Sequence, residues 1–233
     1  MASDDTSLKL SEIFESLQGE GVSAGLPSLF VRLAQCNLHC DWCDTKYTWD
    51  FERYDYDDEV REQSAAAVAE LVNASATRRL VLTGGEPLLQ QRALAPFFAS
   101  LAPDIVVEVE TNGTILPSAP TLARVNQWNV SPKLSNAGDP ESFRLRPAVL
   151  LALRDAGQSY LKLVVQKDAD YAEADALVNL LAWPRDRVLF MPEASDREVL
   201  RARSVPVAEA ARVRGFRFSS RLHLELWGGR RGT

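Results

Sequence analysis

The stretch Ser28-Leu-Phe-Val-Arg-Leu-Ala34-Gln-Cys36-Asn-Leu-His-Cys40-Asp-Trp-Cys43 decides how the rest of the chain is read. Its first half is a nearly continuous apolar run, as expected of a parallel strand buried on both faces. Its second half sets three cysteines at C-x3-C-x2-C spacing, directly after that strand. They are the chain's only cysteines, and an odd, tightly clustered set argues against a disulfide framework. Thiolates are soft ligands suited to iron–sulfur clusters or zinc. This spacing wraps a loop round one small object, and it matches neither separated zinc knuckles nor the C-x2-C-x2-C ferredoxin run. A [4Fe–4S] cube has four irons, so Cys36, Cys40 and Cys43 would leave one iron open to a substrate or cofactor. The alternative is a zinc site of three cysteines and one histidine, drawn from His39 or His223, the two histidines present.

Moving outward, apolar β-rich runs alternate with longer Ala- and Leu-rich stretches. Besides Ser28–Ala34, strands are predicted over Arg79–Thr83, Ile105–Glu110, Gln127–Ser131, Tyr160–Val165, Arg187–Met191 and Leu222–Trp227. Helices are predicted over Ser64–Ala74, Gln90–Leu101, Pro147–Ala156, Asp170–Leu181 and Asp196–Val213, with Pro147 suited to a first helical position. This alternation implies an α/β fold with a parallel sheet. The number of strands favours a partial or modified (β/α) barrel over a full eight-stranded one. With 233 residues and no repeat or linker, residues 1–233 read as a single domain with short N- and C-terminal extensions.

Composition narrows the class further. Hydrophobic residues make up 46% and charged residues 25%, ordinary for a globular protein. A net charge of −6 argues against a general nucleic-acid binder. No apolar run approaches the roughly 20 residues of a membrane helix, and the polar, acidic start MASDDTSLKLSE is unlike a secretory signal. A cytoplasmic location is therefore the default expectation. The acidic stretch 50–62, DFERYDYDDEVRE, reads as a solvated loop or helix entry, or else as a partner-docking segment.

A second motif, Thr83-Gly84-Gly85-Glu86-Pro87, ends the next predicted strand. Glycines there let a ligand approach the backbone closely, and the backbone carbonyls and the Glu86 carboxylate are candidates for receiving an ammonium group. Further polar residues end later strands, where barrel-like α/β enzymes gather their sites: Glu110 and Thr111, Ser131 and Lys133, and Gln166.

With the cysteine triad and the Gly-Gly-Glu-Pro turn together, the chain resembles the radical S-adenosylmethionine (SAM) superfamily. In that superfamily three cysteines hold the cluster and SAM chelates the open iron. Four further segments sharpen the resemblance: Gln18-Gly19-Glu20-Gly21, Phe30-Val31-Arg32, Cys43-Asp44-Thr45, and Ser220-Arg221-Leu222-His223-Leu224-Glu225-Leu226-Trp227-Gly228. They resemble the 7-carboxy-7-deazaguanine synthases, over about Leu8 to Gly228.

The resemblance implies a carbon–nitrogen lyase of 7-deazapurine (queuosine precursor) biosynthesis. The enzyme would cleave SAM reductively and convert 6-carboxy-5,6,7,8-tetrahydropterin to 7-carboxy-7-deazaguanine with loss of ammonia. It implies SAM contacts from Gly84, Gly85, Glu86, Glu110, Thr111, Ser131, Lys133 and Gln166. It implies substrate contacts from Gln18, Gly19, Glu20, Arg32, Thr83 and His223, and a Mg²⁺ ion met by the Thr45 hydroxyl. It also implies a flavodoxin or ferredoxin-type electron donor and a homodimer. The rival class is an activase that makes a radical on a partner protein; it would share the first two motifs but have no use for Arg32 and the Gln18–Glu20 turn.

Overall fold

The computed structural model describes residues 6–233; the first part of the polar amino-terminal stretch, residues 1–5, lies outside the described residues. In chain order the elements are β1 (Ser7–Leu17), β2 (Pro27–Leu33), α1 (Tyr56–Glu59), β3 (Arg61–Ser64), α2 (Ala65–Ala74), β4 (Arg79–Gly84), α3 (Gln91–Ala99), β5 (Val106–Thr111) and α4 (Ala119–Arg124). There follow β6 (Gln127–Val130), α5 (Glu141–Arg144), α6 (Pro147–Arg154), β7 (Gln158–Val165), α7 (Asp168–Leu181), β8 (Val188–Pro192), α8 (Arg197–Arg214), β9 (Arg217–Phe218) and α9 (Leu222–Trp227). The strands form one sheet in the order β3-β1-β2-β4-β5-β6-β7-β8-β9. From β2 to β9 every pairing is parallel, whereas β1 is antiparallel to both β2 and β3. The sheet does not close, so the fold is a partial barrel of α/β type, as the strand count predicts.

The parallel strands carry different chemistry on their two faces. Leu80 and Leu82, Val107 and Val109, Trp128 and Val130, and Leu161, Leu163 and Val165 are fully buried. They share one core with Val68 and Val72 of α2, Phe97 of α3, Leu150 and Leu153 of α6 and Leu177 of α7. Each such side chain contributes about 1.5–3 kcal/mol by leaving water. The opposite face carries Thr83, Glu108, Glu110, Gln127, Asn129 and Lys162, because alternate residues of a strand point to opposite sides. The strands are thus covered on both faces, as expected, but one of those faces is a polar interior.

Helix ends follow local chemistry. Ser64 caps α2 by accepting from Ala67 N at 3.2 Å, and Asp196 caps α8 by accepting from Glu198 N and Val199 N, both at 2.9 Å. Gly215 ends α8 at φ +69°. Among the described residues no helix is long and apolar enough to cross a membrane.

The short elements α1, β3, α4, α5 and β9 are not predicted, and two further departures have a local cause. The eleven-residue strand β1 is not predicted, because a bulge between Leu10 and Glu12 breaks the period-two pattern that marks a strand. Conversely, Leu222–Trp227 is helical, not a strand. Its alternating leucines suggest one buried face, yet Leu224 is 4% exposed and Leu226 is 48% exposed. The backbone closes a turn there instead, with Gly228 N donating to Leu224 O at 3.0 Å.

Candidate active site

The carboxyl ends of the parallel strands open into one cavity. Its walls are the cysteine loop, the Gly84–Gly85 turn, the Gln18–Glu20 turn and the segment carrying Arg221 and His223.

The cysteine loop leaves β2 through Gln35, whose φ of +75° is uncommon for a residue with a side chain and turns the chain out of the sheet. Gln35 is tied on both sides: its N–H donates to Thr48 O and its carbonyl accepts from Glu86 N at 2.9 Å. Leu38, Cys40 and Ala137 make a small buried cluster against which Cys36, Trp42 and Cys43 pack. All three cysteines line the cavity. Leu38 N donates to Cys36 Sγ at 3.4 Å and Trp49 Nε1 donates to Cys43 Sγ at 3.3 Å. Burial pushes the Cys36 thiol up to about 12 and the Cys40 thiol to about 11. Such thiols stay protonated until a metal displaces the proton.

The donor set suits a cluster better than a single zinc ion. His39 is exposed and stacks on Trp49, with centroids 4.7 Å apart. His223 sits at another wall, against Gly19. Neither histidine completes a tetrahedral site. The thiolates and their N–H donors fit an iron–sulfur cluster, whose sulfurs commonly accept such bonds.

The Gly-Gly-Glu turn has a packing role beyond its sequence-based reading. Gly84 has φ +145°, and a Cβ there would overlap the Leu33 backbone; a Cβ at Gly85 would overlap Gln35 O and crowd Cys36 Cβ at 2.9 Å. The two glycines therefore let the end of β4 press against the cysteine loop, although both still line the cavity. Glu86 is fully buried and is not a cavity residue. Its carboxylate accepts from Leu88 N at 3.0 Å, Thr111 Oγ1 at 2.9 Å and Asn112 N at 2.7 Å. It clasps the ends of β4 and β5 together. Burial raises its pKa against the pull of those donors. Gln166 is likewise not a cavity residue; its backbone N donates to Asp170 Oδ2 at 2.7 Å. Glu110, Thr111, Ser131 and Lys133 do line the cavity, with Lys133 Nζ 3.2 Å from Ser131 Oγ and 5.4 Å over the Trp42 ring.

The Gln18–Glu20 turn is held from beneath. Gln18 is 2% exposed, and its Nε2 donates to Glu108 at 2.9 Å and Glu110 at 3.2 Å, while its Oε1 accepts from Glu20 N at 3.2 Å. Gln18 thus orients the turn rather than offering a free amide. Gly19 is required by close approach, because a Cβ would overlap His223 Nδ1. Leu222 N also donates to Gly19 O at 2.8 Å, docking α9 on the turn.

Glu20 faces two cations: Lys162 Nζ donates to Oε2, and Arg221 Nε donates to Oε1 at 3.1 Å. Burial alone would raise the pKa of Glu20, but Lys162 and Arg221 outweigh it and hold the carboxyl well below its usual range. Burial lowers the pKa of His223, so its ring is neutral at neutral pH. On the other side, Arg32 Nε donates to Glu12 at 3.0 Å and Thr83 Oγ1 donates to Glu110 at 2.8 Å. The Thr45 hydroxyl lines the cavity 3.7 Å from Cys43 Sγ.

Sequence reasoning misses Lys162 and Glu108, and it quotes Arg221 only within the Ser220–Gly228 segment without giving it a role. Glu108 is fully buried and accepts from Gln18, from Ser23 Oγ at 2.7 Å, from Asn129 Nδ2 at 2.6 Å and from Arg79 Nη1 at 2.9 Å. The available signal was a charged residue inside an apolar strand: Lys162 between Leu161 and Leu163, and Glu108 between Val107 and Val109.

Residues 17–120 match the family described as a 4Fe-4S single cluster domain. The chain is 40% identical to 7-carboxy-7-deazaguanine synthase of Pyrobaculum aerophilum, over 97% of both chains. It is 36% identical to 7-carboxy-7-deazaguanine synthase of Halobacterium salinarum, over 96% of this chain and 92% of that one. The crystal structure of QueE from Escherichia coli superposes with a TM-score of 0.68 at 23% identity, covering 96% of this chain and 100% of that one; it shares the fold.

Proposed function

The chain belongs to the 7-carboxy-7-deazaguanine synthase family, and we propose that it converts 6-carboxy-5,6,7,8-tetrahydropterin to 7-carboxy-7-deazaguanine with release of ammonia. The observation that carries this reading is the makeup of a single cavity. A three-cysteine loop forms one wall, and Glu20 and Arg32 stand among the others. A carboxylate and a guanidinium match a ligand that offers amidine-like N–H donors at one end and a carboxylate at the other. An activase for a partner protein would gain nothing from that pair.

Cys36, Cys40 and Cys43 would hold the [4Fe–4S] cluster, which would supply the one-electron chemistry for reductive cleavage of SAM. The chain's own residues do the rest. Gly84 and Gly85, with Glu110, Thr111, Ser131 and Lys133, form the wall assigned to SAM, where the Lys133 ammonium suits its carboxylate. Glu20 takes the ring N–H donors of the pterin. Arg32, its plane set by Glu12, takes the carboxylate, and Thr83 and neutral His223 border the ring. Thr45 offers one hydroxyl oxygen to Mg²⁺, a cation that favours oxygen and keeps several waters. The wider reading, resting on the family resemblance, is a cytoplasmic homodimer reduced by a flavodoxin or ferredoxin-type donor.

The test is anaerobic reconstitution followed by incubation with SAM, a strong reductant, Mg²⁺ and the carboxypterin. The expected products are 7-carboxy-7-deazaguanine and 5′-deoxyadenosine. 5′-Deoxyadenosine with no pterin-derived product would defeat the substrate assignment, and bound zinc in place of iron would defeat the cluster.

A further inference from the structure

We propose that Lys162 is a specificity-determining substrate contact: docked on Glu20, its ammonium donates to the ring oxygen that adjoins the N–H donors taken by Glu20. The inference rests on the reading that Glu20 receives the pterin's pyrimidinone edge, and it adds the recognition of the neighbouring oxo group.

Lys162 sits in β7 between the fully buried Leu161 and Leu163, and is itself 8% exposed. A buried ammonium is costly unless paired. Its partner is Glu20, and Lys162 lines the cavity beside it with Arg221 and His223. Burial pulls the lysine's pKa down, but Glu20 and Glu110 outweigh it and leave it raised, so the side chain stays charged.

The two cations on Glu20 differ in how they are held. Arg221 is fixed through all three of its nitrogens, Nε on Glu20, Nη1 on Ala194 O and Nη2 on Asp44, so the plane of its guanidinium is committed to protein partners. It is a clamp. An ammonium has three donors, and Lys162 uses one of them on Glu20. Each Glu20 oxygen, in turn, holds one cation and keeps a second lone-pair direction. A ligand entering here meets two acceptor positions with a strong donor directly beside them. The complementary edge has two adjacent N–H donors followed by an oxygen acceptor, which is the edge of a 2-amino-4-oxopyrimidine ring. A polar site built for such an oxygen discriminates strongly, because a poorer acceptor leaves a buried donor unpaired.

The test compares two ligands that differ only at that atom: the carboxypterin and its 4-thioxo analogue, which keeps both N–H donors and carries a weakly accepting sulfur. Dissociation constants are measured on cluster-loaded protein with SAM and no reductant. The wild type should prefer the oxo ligand. Lys162→Met should lose roughly 10- to 100-fold on the oxo ligand, the worth of a charge-assisted hydrogen bond, and much less on the thioxo ligand. The preference would then collapse. Equal loss on both ligands would overturn the proposal and reduce Lys162 to a counterion for Glu20.

Glu20→Gln should weaken both ligands alike while keeping the oxo preference. Unchanged binding of both ligands in that variant would overturn the Glu20 assignment itself. If Lys162→Met does not fold, the charge-balanced Glu20→Gln/Lys162→Met double variant read against Glu20→Gln gives the same ratio, and a retained preference there would likewise overturn the proposal.

Discussion

Arg32 and Glu12 stand directly opposite each other across the β1–β2 pair, and Arg32 Nε donates to Glu12 Oε2 at 3.0 Å. Glu12 also accepts from Tyr47 OH at 3.1 Å and from Arg231, and the Arg32 guanidinium lies 5.7 Å from the Phe14 ring. Burial would lower the pKa of Arg32, but Tyr47 and Glu12 outweigh it and the group is held firmly charged. The plane of the guanidinium is therefore set before any ligand arrives.

This arrangement makes Arg32→Lys a sharp test. A lysine has one nitrogen, so it cannot stay on Glu12 and also present two coplanar donors to a carboxylate. We expect kcat/KM for the carboxypterin to fall roughly 10- to 100-fold, with iron content per chain unchanged. Loss of iron in step with activity would show that Arg32 serves the fold of the cysteine loop instead.

Gly19→Ala should act through His223. The added Cβ must displace the imidazole, and with it the start of α9, which hangs on the Gly19 carbonyl. Overpacking of this kind costs about 1–3 kcal/mol, read as a lower midpoint in urea unfolding, together with weaker pterin binding. Wild-type affinity in this variant would remove His223 from the site.

Glu108→Ala should be more damaging than its distance from the cavity suggests. It would strip the acceptor from Gln18, Ser23, Asn129 and Arg79 at once. Breaking a buried ion pair from one side costs about 3–5 kcal/mol, and the Gln18–Glu20 turn would lose its footing. A change below about 1 kcal/mol by denaturant titration would contradict this role.

Glu20 also predicts a pH dependence. Its pKa in the fold lies below the ordinary value, so the unfolded chain binds the proton more readily. Its stabilisation is complete above the ordinary carboxylate range and is lost as pH falls towards the depressed value. The melting-temperature gap between wild type and Glu20→Gln should be widest above about pH 5 and shrink below about pH 4. A gap that stays constant down to pH 3 would mean that the two cations do not hold the carboxylate.

Much of the fold is legible in the chain because the parallel strands are short apolar runs with punctuated ends. β1 is hidden by its bulge, and α9 by leucines that alternate without sharing a buried face. The motif Gly84-Gly85-Glu86 is legible as important, but its packing role is not. Nothing local says that the room left by the two glycines is filled by Leu33 and Gln35, or that Glu86 turns inward to Thr111 and Asn112. The acidic stretch 50–62 is similar. Glu59 pairs with Arg231 of the tail, whose guanidinium also reaches Glu12 and lies 3.9 Å from the Tyr47 ring.

Taken alone, the sequence determined which residues are the candidate cluster ligands, because Cys36, Cys40 and Cys43 are neighbours in the chain on one short loop. It also determined the strand that delivers them. The tertiary structure decided the environment of Glu20. Lys162 lies 142 positions away and Arg221 lies 201 positions away. They meet the same carboxylate only because β7 takes its place in the sheet and the chain after β9 folds back onto the Gln18–Glu20 turn. Contacts of that kind depend on strand order and packing, which local pattern does not encode.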